Sequence, residues 1–334
     1  MANPRVDCLI VGGGLTGLIA ATVLTEAGLT VTIADKGRGI GGRLATRRLN
    51  HPRGGQGIFD YGAQYFRATE PQFQRWVRDW LQAGIVTNWP ALEQQKQSDR
   101  PIYRGIESNR HLAKHLAQSL TVHTNTRIEQ LSWQGDHWTI TSPTGELFTA
   151  HKLLLTAPVP QSLELLRNSA IVPTDLEGLE RVSYYRCLAL LVLLQTPATI
   201  SLSGSLGLED SPIAWISAND QKGISPDWPA VTIHASSDFT DQYWNDRETG
   251  AQQLLQLAHT YNFFPSSAIV DHQIHGWGYS LPKVTYGQPF YQEQSTASGP
   301  LWLAGDGFSS PQASCPVEGA FLSGLAVATA ILQA

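Results

Sequence analysis

Three glycines constrain this chain more than any other feature. Gly12, Gly14 and Gly17 form Gly-x-Gly-x-x-Gly within VDCLIVGGGLTGLIAATVLTEAG, residues 6–28. The apolar run before them reads as a buried parallel strand. After them, Leu15, Leu18, Ile19, Thr22 and Val23 fall at helical spacing, and Gly28 closes the helix as its C′ residue. LTVTIADK supplies a second strand, so the segment is a βαβ unit whose crossover should be right-handed. Each glycine then has a chemical use. Gly12 permits the tight turn, Gly14 lets a pyrophosphate approach the backbone, and Gly17 lets helix and strand pack closely. The first helical turn, with Leu15 and Thr16, brings free N–H groups and the positive end of the helix dipole to the anion. Asp35 ends the second strand, about 20 residues on, where a carboxylate accepts from ribose hydroxyls. An acid there suits NAD or FAD and disfavours the 2′-phosphate of NADP.

The next residues narrow the choice. DKGRGIGGRLATRR, residues 35–48, adds a second glycine loop with Lys36, Gly41, Gly42 and Arg43. It resembles the acid followed by R-x-G-G-R of flavoproteins in the amine oxidase superfamily. Two more segments extend the resemblance: FDYGAQYF (59–66) and LWLAGDGFSSPQASCPVEGAFLSGLAVA (301–328). With HGWGYSLP (275–282) added, the set is most similar to the renalase-like branch. The resemblance implies an α/β fold, a Rossmann-type FAD-binding domain with a parallel sheet and an inserted mixed or antiparallel substrate domain, as in the amine oxidase and p-hydroxybenzoate hydroxylase folds. It implies non-covalent FAD, with Arg43 at the pyrophosphate and Gly62, Ala63, Gln64 and Tyr65 beside the isoalloxazine ring. Gly305 and Asp306 would meet the ribityl or phosphate region, Ile128 the adenine, and Ala157 a turn near the cofactor. The helix entered at Val317, Glu318 and Ala320 would point its N-terminus at the pyrimidine end of the flavin and ease hydride acceptance.

The same resemblance implies an activity: oxidation of 2- and 6-dihydro isomers of NAD(P) to NAD(P)+, with O2 reduced to H2O2, as metabolite repair. Alternatives are an FAD-dependent amine oxidase on a small amine and an FAD-binding protein without turnover. A lipid or carotenoid desaturase would want an amphipathic membrane-binding stretch, and none is visible. Two departures from the family pattern, Arg186 in VSYYRCLALLVLL and Gly278 in HGWGYSLP, fall in the expected substrate domain.

The rest of the chain organises around these motifs. Residues 37–57 read as loop, 71–84 and 108–120 as helices, and 121–158 as a strand, a β-meander and a buried strand. CLALLVLL and AVTIHAS read as strands of the inserted domain, and RETGAQQLLQLAHTYN as a helix within it. A Rossmann-type strand at both ends makes the FAD-binding domain discontinuous, approximately 1–70, 106–165 and 296–334, with the substrate domain approximately 71–105 and 166–295.

Hydride chemistry on a flavin needs no protein nucleophile. The catalytic groups are therefore not assigned, and the candidates for the substrate pocket are Tyr65, Phe66, His234, Trp277 and Tyr279. Each has a competing reading as a core residue. Lys283 is the lysine nearest such a motif. Cys8, Cys187 and Cys315 are distant from one another, which argues against disulfides and a zinc site and fits a reducing compartment. No clustered His/Cys/Asp set predicts a metal. A net charge of −5 without a basic stripe argues against nucleic acid. The first five residues lack the apolar core of a signal peptide, and no apolar run reaches the roughly 18 residues of a membrane span. The expectation is a cytoplasmic monomer that acts on a small molecule and O2.

Overall fold

The computed structural model describes residues 5–295, 299–309 and 313–334. The start of the polar tail and the domain boundary expected at residue 296 lie outside them. The chain begins with β1 (Val6–Val11), α1 (Leu15–Glu26) and β2 (Val31–Ala34). Gly28 stands beyond α1 at φ +92°, the left-handed turn a C′ glycine makes without strain. There follow β3 (Thr46–Asn50), β4 (Gln56–Asp60), α2 (Pro71–Gln82), β5 (Val86–Asn88), α3 (Pro90–Gln95), β6 (Tyr103–Gly105) and α4 (Asn109–Leu116). Next come β7 (Thr121–His123), β8 (Gln130–Trp133), β9 (Trp138–Thr141), β10 (Leu147–Leu155), α5 (Val159–Asn168) and α6 (Leu176–Glu180). The inserted part holds β11 (Ser183–Leu194), β12 (Ser205–Gly207), β13 (Ile213–Ala218), β14 (Ala230–Ala235), α7 (Ser237–Tyr243), α8 (Arg247–Thr260) and β15 (Ile269–Val284). β16 (Tyr291–Gln292), β17 (Leu301–Leu303) and α9 (Pro316–Gln333) return to the first layer.

The first sheet runs β16-β17-β10-β1-β2-β7, and β17, β10, β1, β2 and β7 pair in parallel. β10 has two roles. Its first half pairs antiparallel with β9 as the end of the meander, and its second half lies between β1 and β17. The meander and the buried strand read separately in the sequence are therefore continuous. Both faces of the parallel strands are buried, which is why Leu9, Ile10, Leu153 and Leu154 are all apolar.

One sequence reading is corrected here. Of residues 37–57, expected as loop, those from Thr46 onward belong to the antiparallel hairpin β3–β4, which ends at Asp60. Leu49 and Phe59 are buried by it, while Gly54 and Gly55 turn its tip at positive φ. Three arginines and the glycine cluster obscured the alternation. The expectation about apolar runs is corrected too: α9 is long and apolar enough to cross a membrane. It is a core helix here. Thr16 Oγ1 donates to Ala320 O at 2.8 Å, Phe321 is fully buried, and a β-carbon on Gly324 would meet Thr16 O at 2.7 Å. α2 brings Phe73 and Trp80 against Phe321 from the other side.

The second sheet is antiparallel in the order β12-β13-β14-β11-β15. Alternate residues of β11 face opposite ways. Leu188, Leu190, Val192 and Leu194 share a core with Phe239, Ala251 and Leu254 of α7 and α8. On the other face, Leu191 and Leu193 are covered by Leu49 and Phe59 of the hairpin. The hairpin ends there, so the stretch of this face around Ala189 and Cys187 looks toward the first layer.

Candidate functional site

Two glycine loops meet where β1 and β2 end. Gly41 N donates to Gly13 O at 2.8 Å, and Gly14 and Gly41 form an isolated parallel bridge. The Asp35 carboxylate accepts from Gly13 N at 2.5 Å and Gly37 N at 2.6 Å, so one side chain holds both loops. Gly12 takes φ +119°, and a β-carbon there would meet Thr156 Oγ1 at 2.6 Å. Gly14 is different. Its φ is −75° and nothing lies within 4 Å of the place its β-carbon would occupy. α1 begins there with no side-chain cap and no acidic residue in its first turn. Open space, orphan N–H groups and an unneutralised dipole make an anion cradle.

Arg43 leaves the second loop and forms a two-pronged ion pair with Asp306, with Nη2 to Oδ1 at 2.7 Å. Its Nη1 also donates to Ser280 O at 3.1 Å. Burial works against the Arg43 charge, and the buried Asp306 carboxylate outweighs it and raises the guanidinium pKa further. The pair ties the second loop to the Gly305–Asp306 turn after β17. Ala63 N donates to Arg43 O at 2.8 Å, which lays residues 62–65 along the same loop. Gln64 Nε2 donates to Asp60 O at 2.7 Å, and its buried Oε1 has no partner among the described residues. α9 begins at Cys315 without a side-chain cap hydrogen bond. An anion cradle, an acid at the end of β2 that holds both glycine loops, an orphaned buried acceptor and a second uncapped helix end together fit the expected FAD.

Several residues assigned to the cofactor have other attachments. The buried Glu318 carboxylate accepts from Thr69 N (2.5 Å), Thr69 Oγ1 (2.7 Å), Glu70 N (2.8 Å) and Ser314 N (2.7 Å). Burial alone would raise its pKa, yet these donors hold it below the ordinary glutamate value. Glu318 is thus a joint between α9 and the segment before α2, and what it leaves for a ligand is backbone. Thr16 likewise has its hydroxyl on Ala320 O. Lys36 Nζ donates to Gln161 Oε1 at 2.9 Å. Leu15, Ile128 and Val317 are buried in the hydrophobic clusters, and Ala157 N sits against Gly12.

The open face of the second sheet forms the other half of the site. Trp215, His234, Ala189 and His275 are successive partners across β13, β14, β11 and β15, so their side chains share one face. Trp277 and Tyr279 follow His275 on that face at alternate positions. Tyr61 stands over them. Its ring stacks on Trp277 (5.1 Å, 26°) and meets His275 edge-on (5.1 Å). Its carbonyl accepts from Trp277 Nε1 at 2.9 Å and His234 Nε2 at 3.0 Å. A carbonyl only accepts, so His234 carries its proton on Nε2 and leaves Nδ1 as an acceptor. Burial pushes the His234 pKa down to about 4 against that hydrogen bond, with the Lys222 charge assisting. Burial, then the charges of Arg47 and Arg247, take His275 to about 4 as well. Both rings are neutral at pH 7.

Protein cations already cover three of the rings. The Arg47 guanidinium lies 5.1 Å from the Tyr61 centroid, and Lys96 Nζ lies 5.4 Å from Tyr65 and 5.1 Å from Trp215. Tyr279 meets Tyr184 edge-on at 5.6 Å, and Arg43 lies over Tyr184 at 5.9 Å, which joins this lining to the cradle.

Tyr65, His234, Trp277 and Tyr279, singled out in the sequence, therefore lie along one lining. Phe66 does not. It is buried against Phe73 (5.8 Å) and Tyr103 (5.6 Å), because neighbours in an extended segment face opposite ways. Sequence reasoning missed Tyr61, Trp215 and Arg47, and it weighed His275, like His234, as a pocket residue against a commoner core role. The alternation His275, Trp277, Tyr279 could have favoured the pocket. Arg186 and Gly278 both face Trp244 on the opposite side of the sheet. The Arg186 guanidinium is 5.0 Å from that ring, and a β-carbon on Gly278 would be 3.9 Å from it. Neither departure shapes this lining. Lys283 is exposed over Tyr185 at 5.5 Å. Among the described residues no His/Cys/Asp/Glu group could hold a metal.

A family model described as flavin containing amine oxidoreductase matches residues 80–332, and one described as NAD(P)-binding Rossmann-like domain matches residues 10–81. Renalase of Mus musculus is 28% identical over 267 residues, 74% of this chain and 77% of its own length. Flavin-containing amine oxidase B of Cavia porcellus is 31% identical over 77 residues, 23% of this chain and 14% of its own. Among solved structures, cyclohexylamine oxidase from Brevibacterium oxydans superposes with a TM-score of 0.69 at 13% identity over 99% of both chains. A double mutant of putrescine oxidase gives 0.59 at 13% identity over 99% of both. At that identity the solved structures share the fold alone.

Proposed function

The chain belongs to the flavin-containing amine oxidoreductases and is an FAD-dependent oxidase, and from that premise we propose that it oxidises isomeric 2- and 6-dihydro-NAD(P) to NAD(P)+. When bound, FAD would supply the hydride acceptor and the route of the electron pair to O2, with H2O2 as the product. The residues that would hold it are the cradle at Gly14, the ribose acid Asp35, the Arg43–Asp306 pair, Gln64 Oε1 and the start of α9. The FAD is held without a covalent bond.

One observation carries the choice of substrate. Aromatic cages attract ammonium groups through the faces of their rings. Here the rings of Tyr61, Tyr65 and Trp215 are already met by Arg47 and Lys96. A cationic amine would find those faces engaged and two like charges beside it. A dihydronicotinamide is a flat neutral ring that needs no free cation-binding face, and it carries anionic phosphates that suit the same two cations. Loss of a hydride from such a ring needs no base. That agrees with a lining whose two histidines are neutral, with His234 fixed by a carbonyl.

The test is anaerobic stopped flow with borohydride-treated NAD+, pure 4-dihydro NADH and a panel of amines. Rapid bleaching of the flavin by the isomer mixture alone is the expected result. Bleaching by an amine alone replaces this reading with amine oxidation, and a flavin that none of these reduces removes both.

A further inference from the structure

Arg47 occupies an unusual position for a cation. It lies on β3 opposite Phe59, half-buried, with its guanidinium over the Tyr61 ring at 5.1 Å. Its polar contact is a long one, Nη1 to Gln273 Oε1 at 3.3 Å. Among the described residues no carboxylate lies within 4.0 Å of it. Asp271, the acid on that stretch of β15, is exposed and accepts from the His272 amide. The neighbouring charge is positive: Arg47 and Arg247 both act on His275. A half-buried guanidinium without a carboxylate, placed over a ring, is preorganised for an anion from outside.

Its place along the lining says which anion. β15 passes Gln273 beside Arg47, then His275 beneath Tyr61, then Trp277, and Tyr279 next to Tyr184 and the cradle. Gln273 marks the end of the lining away from the cradle, four residues or about 13 Å of strand from Trp277, and the Arg47 guanidinium reaches back from it over Tyr61, whose ring lies 5.1 Å from that of Trp277. A ring stacked at Trp277 would send its ribose and phosphate along this strand toward Arg47.

We propose that Arg47 is the specificity-determining residue that receives the phosphate next to the nicotinamide ribose, so that the enzyme takes phosphorylated nicotinamide nucleotides in preference to the uncharged-tail riboside. The inference rests on the dihydronicotinamide reading above. Arg47 takes no part in the transfer itself. It sets affinity and the direction in which the substrate lies.

The holoenzyme tests this through the flavin spectrum, without turnover. Oxidised nicotinamide mononucleotide and nicotinamide riboside differ by the phosphate alone, and each perturbs the flavin absorption when it binds. The wild-type protein should bind the mononucleotide at least about tenfold more tightly than the riboside. Arg47→Gln should abolish that preference by weakening the mononucleotide alone, and Arg47→Lys should restore part of it. Equal affinities in the wild type, or a preference that survives Arg47→Gln, would overturn the proposal, as would equal weakening of both compounds. The dihydro isomers of the riboside separate this claim from the reaction. If they bleach the flavin, the reaction stands whatever Arg47 does. If no isomer bleaches it while the preference follows Arg47, the anion site stands and the reaction falls.

Discussion

The Nζ of Lys222 lies 2.8 Å from Oδ2 of Asp60, and neither side chain has any exposed surface. Asp60 Oδ1 accepts from Thr46 Oγ1 at 2.7 Å and from Asn109 N at 3.1 Å, while Thr232 Oγ1 donates to Asp60 O at 3.0 Å. One buried aspartate, through its carboxylate and its carbonyl, thus joins the hairpin, α4 and the second sheet just before Tyr61 and Gln64. Lys222→Met leaves that carboxylate buried without its counter-ion and should destabilise the fold by about 3–5 kcal/mol. Adding Asp60→Asn should return a large part of the loss in chemical denaturation. Equal loss in the single and double variants would show that the two charges are not coupled.

Gly14 separates a cofactor effect from a folding effect. Its φ of −75° suits alanine and its β-carbon would meet no protein atom. The entropy gained in the unfolded chain and the N-cap preference for glycine over alanine oppose each other, so Gly14→Ala should change apoprotein stability by no more than about 1 kcal/mol. It should lower FAD affinity at least about tenfold, because the methyl fills the space before the N–H groups. Melting of the apoprotein and titration with FAD read the two effects separately. Unchanged FAD affinity would move the pyrophosphate elsewhere.

Arg43 and Asp306 should fail differently when changed one at a time. Asp306→Asn leaves the part-buried guanidinium without its carboxylate, and Arg43→Gln leaves the buried carboxylate without its cation. Both should emerge from purification with a lower ratio of flavin to protein absorbance. The loss should be reversible on adding FAD where the variant still folds. Full flavin content in both would remove the pair from the cofactor site.

The two histidines give the fold an acid limit. Both have folded pKa values of about 4 against an ordinary 6.5, so between those values the unfolded chain binds protons that the native state refuses. Stability is complete above about pH 6.5 and falls as the pH drops toward 4. The melting temperature should decline across this window, and His275→Gln should make the decline shallower. A flat profile from pH 7 to 4 would mean that the rings protonate in place.

The order of elements was legible because each signal was local. Gly12 to Asp35 carries its strand, helix and acid within one βαβ unit, and the glycine loop, GAQYF and GD segments follow at recognisable spacing. What escaped depends on partners far along the chain. Lys222 looks like a surface lysine in a turn, and Asp60, 162 positions away, makes it a buried one. Glu318 looked like a cofactor residue because its helix points at the cofactor, yet its carboxylate belongs to Thr69 and Glu70. Phe66 and Tyr65 were indistinguishable until the extended backbone assigned them opposite sides. Arg186 and Gly278 looked like changes to a pocket, and their strands turn them toward Trp244.

β10 has a further consequence for how this molecule is assembled. Its second half is flanked by β1 on one side and β17 on the other, and β17 follows the whole second sheet in the chain. All the pairings of that sheet fall between residues 183 and 284. On a translating ribosome it can close while β17, Asp306 and α9 are still unmade. During that interval β10 presents a bare hydrophobic edge and Arg43 lacks its carboxylate. The nascent chain is then a folded catalytic wall beside an unfinished nucleotide site, open to strand-to-strand association with other chains. Capture of the flavin waits for the last segment, so the cofactor would arrive as the step that seals the protein.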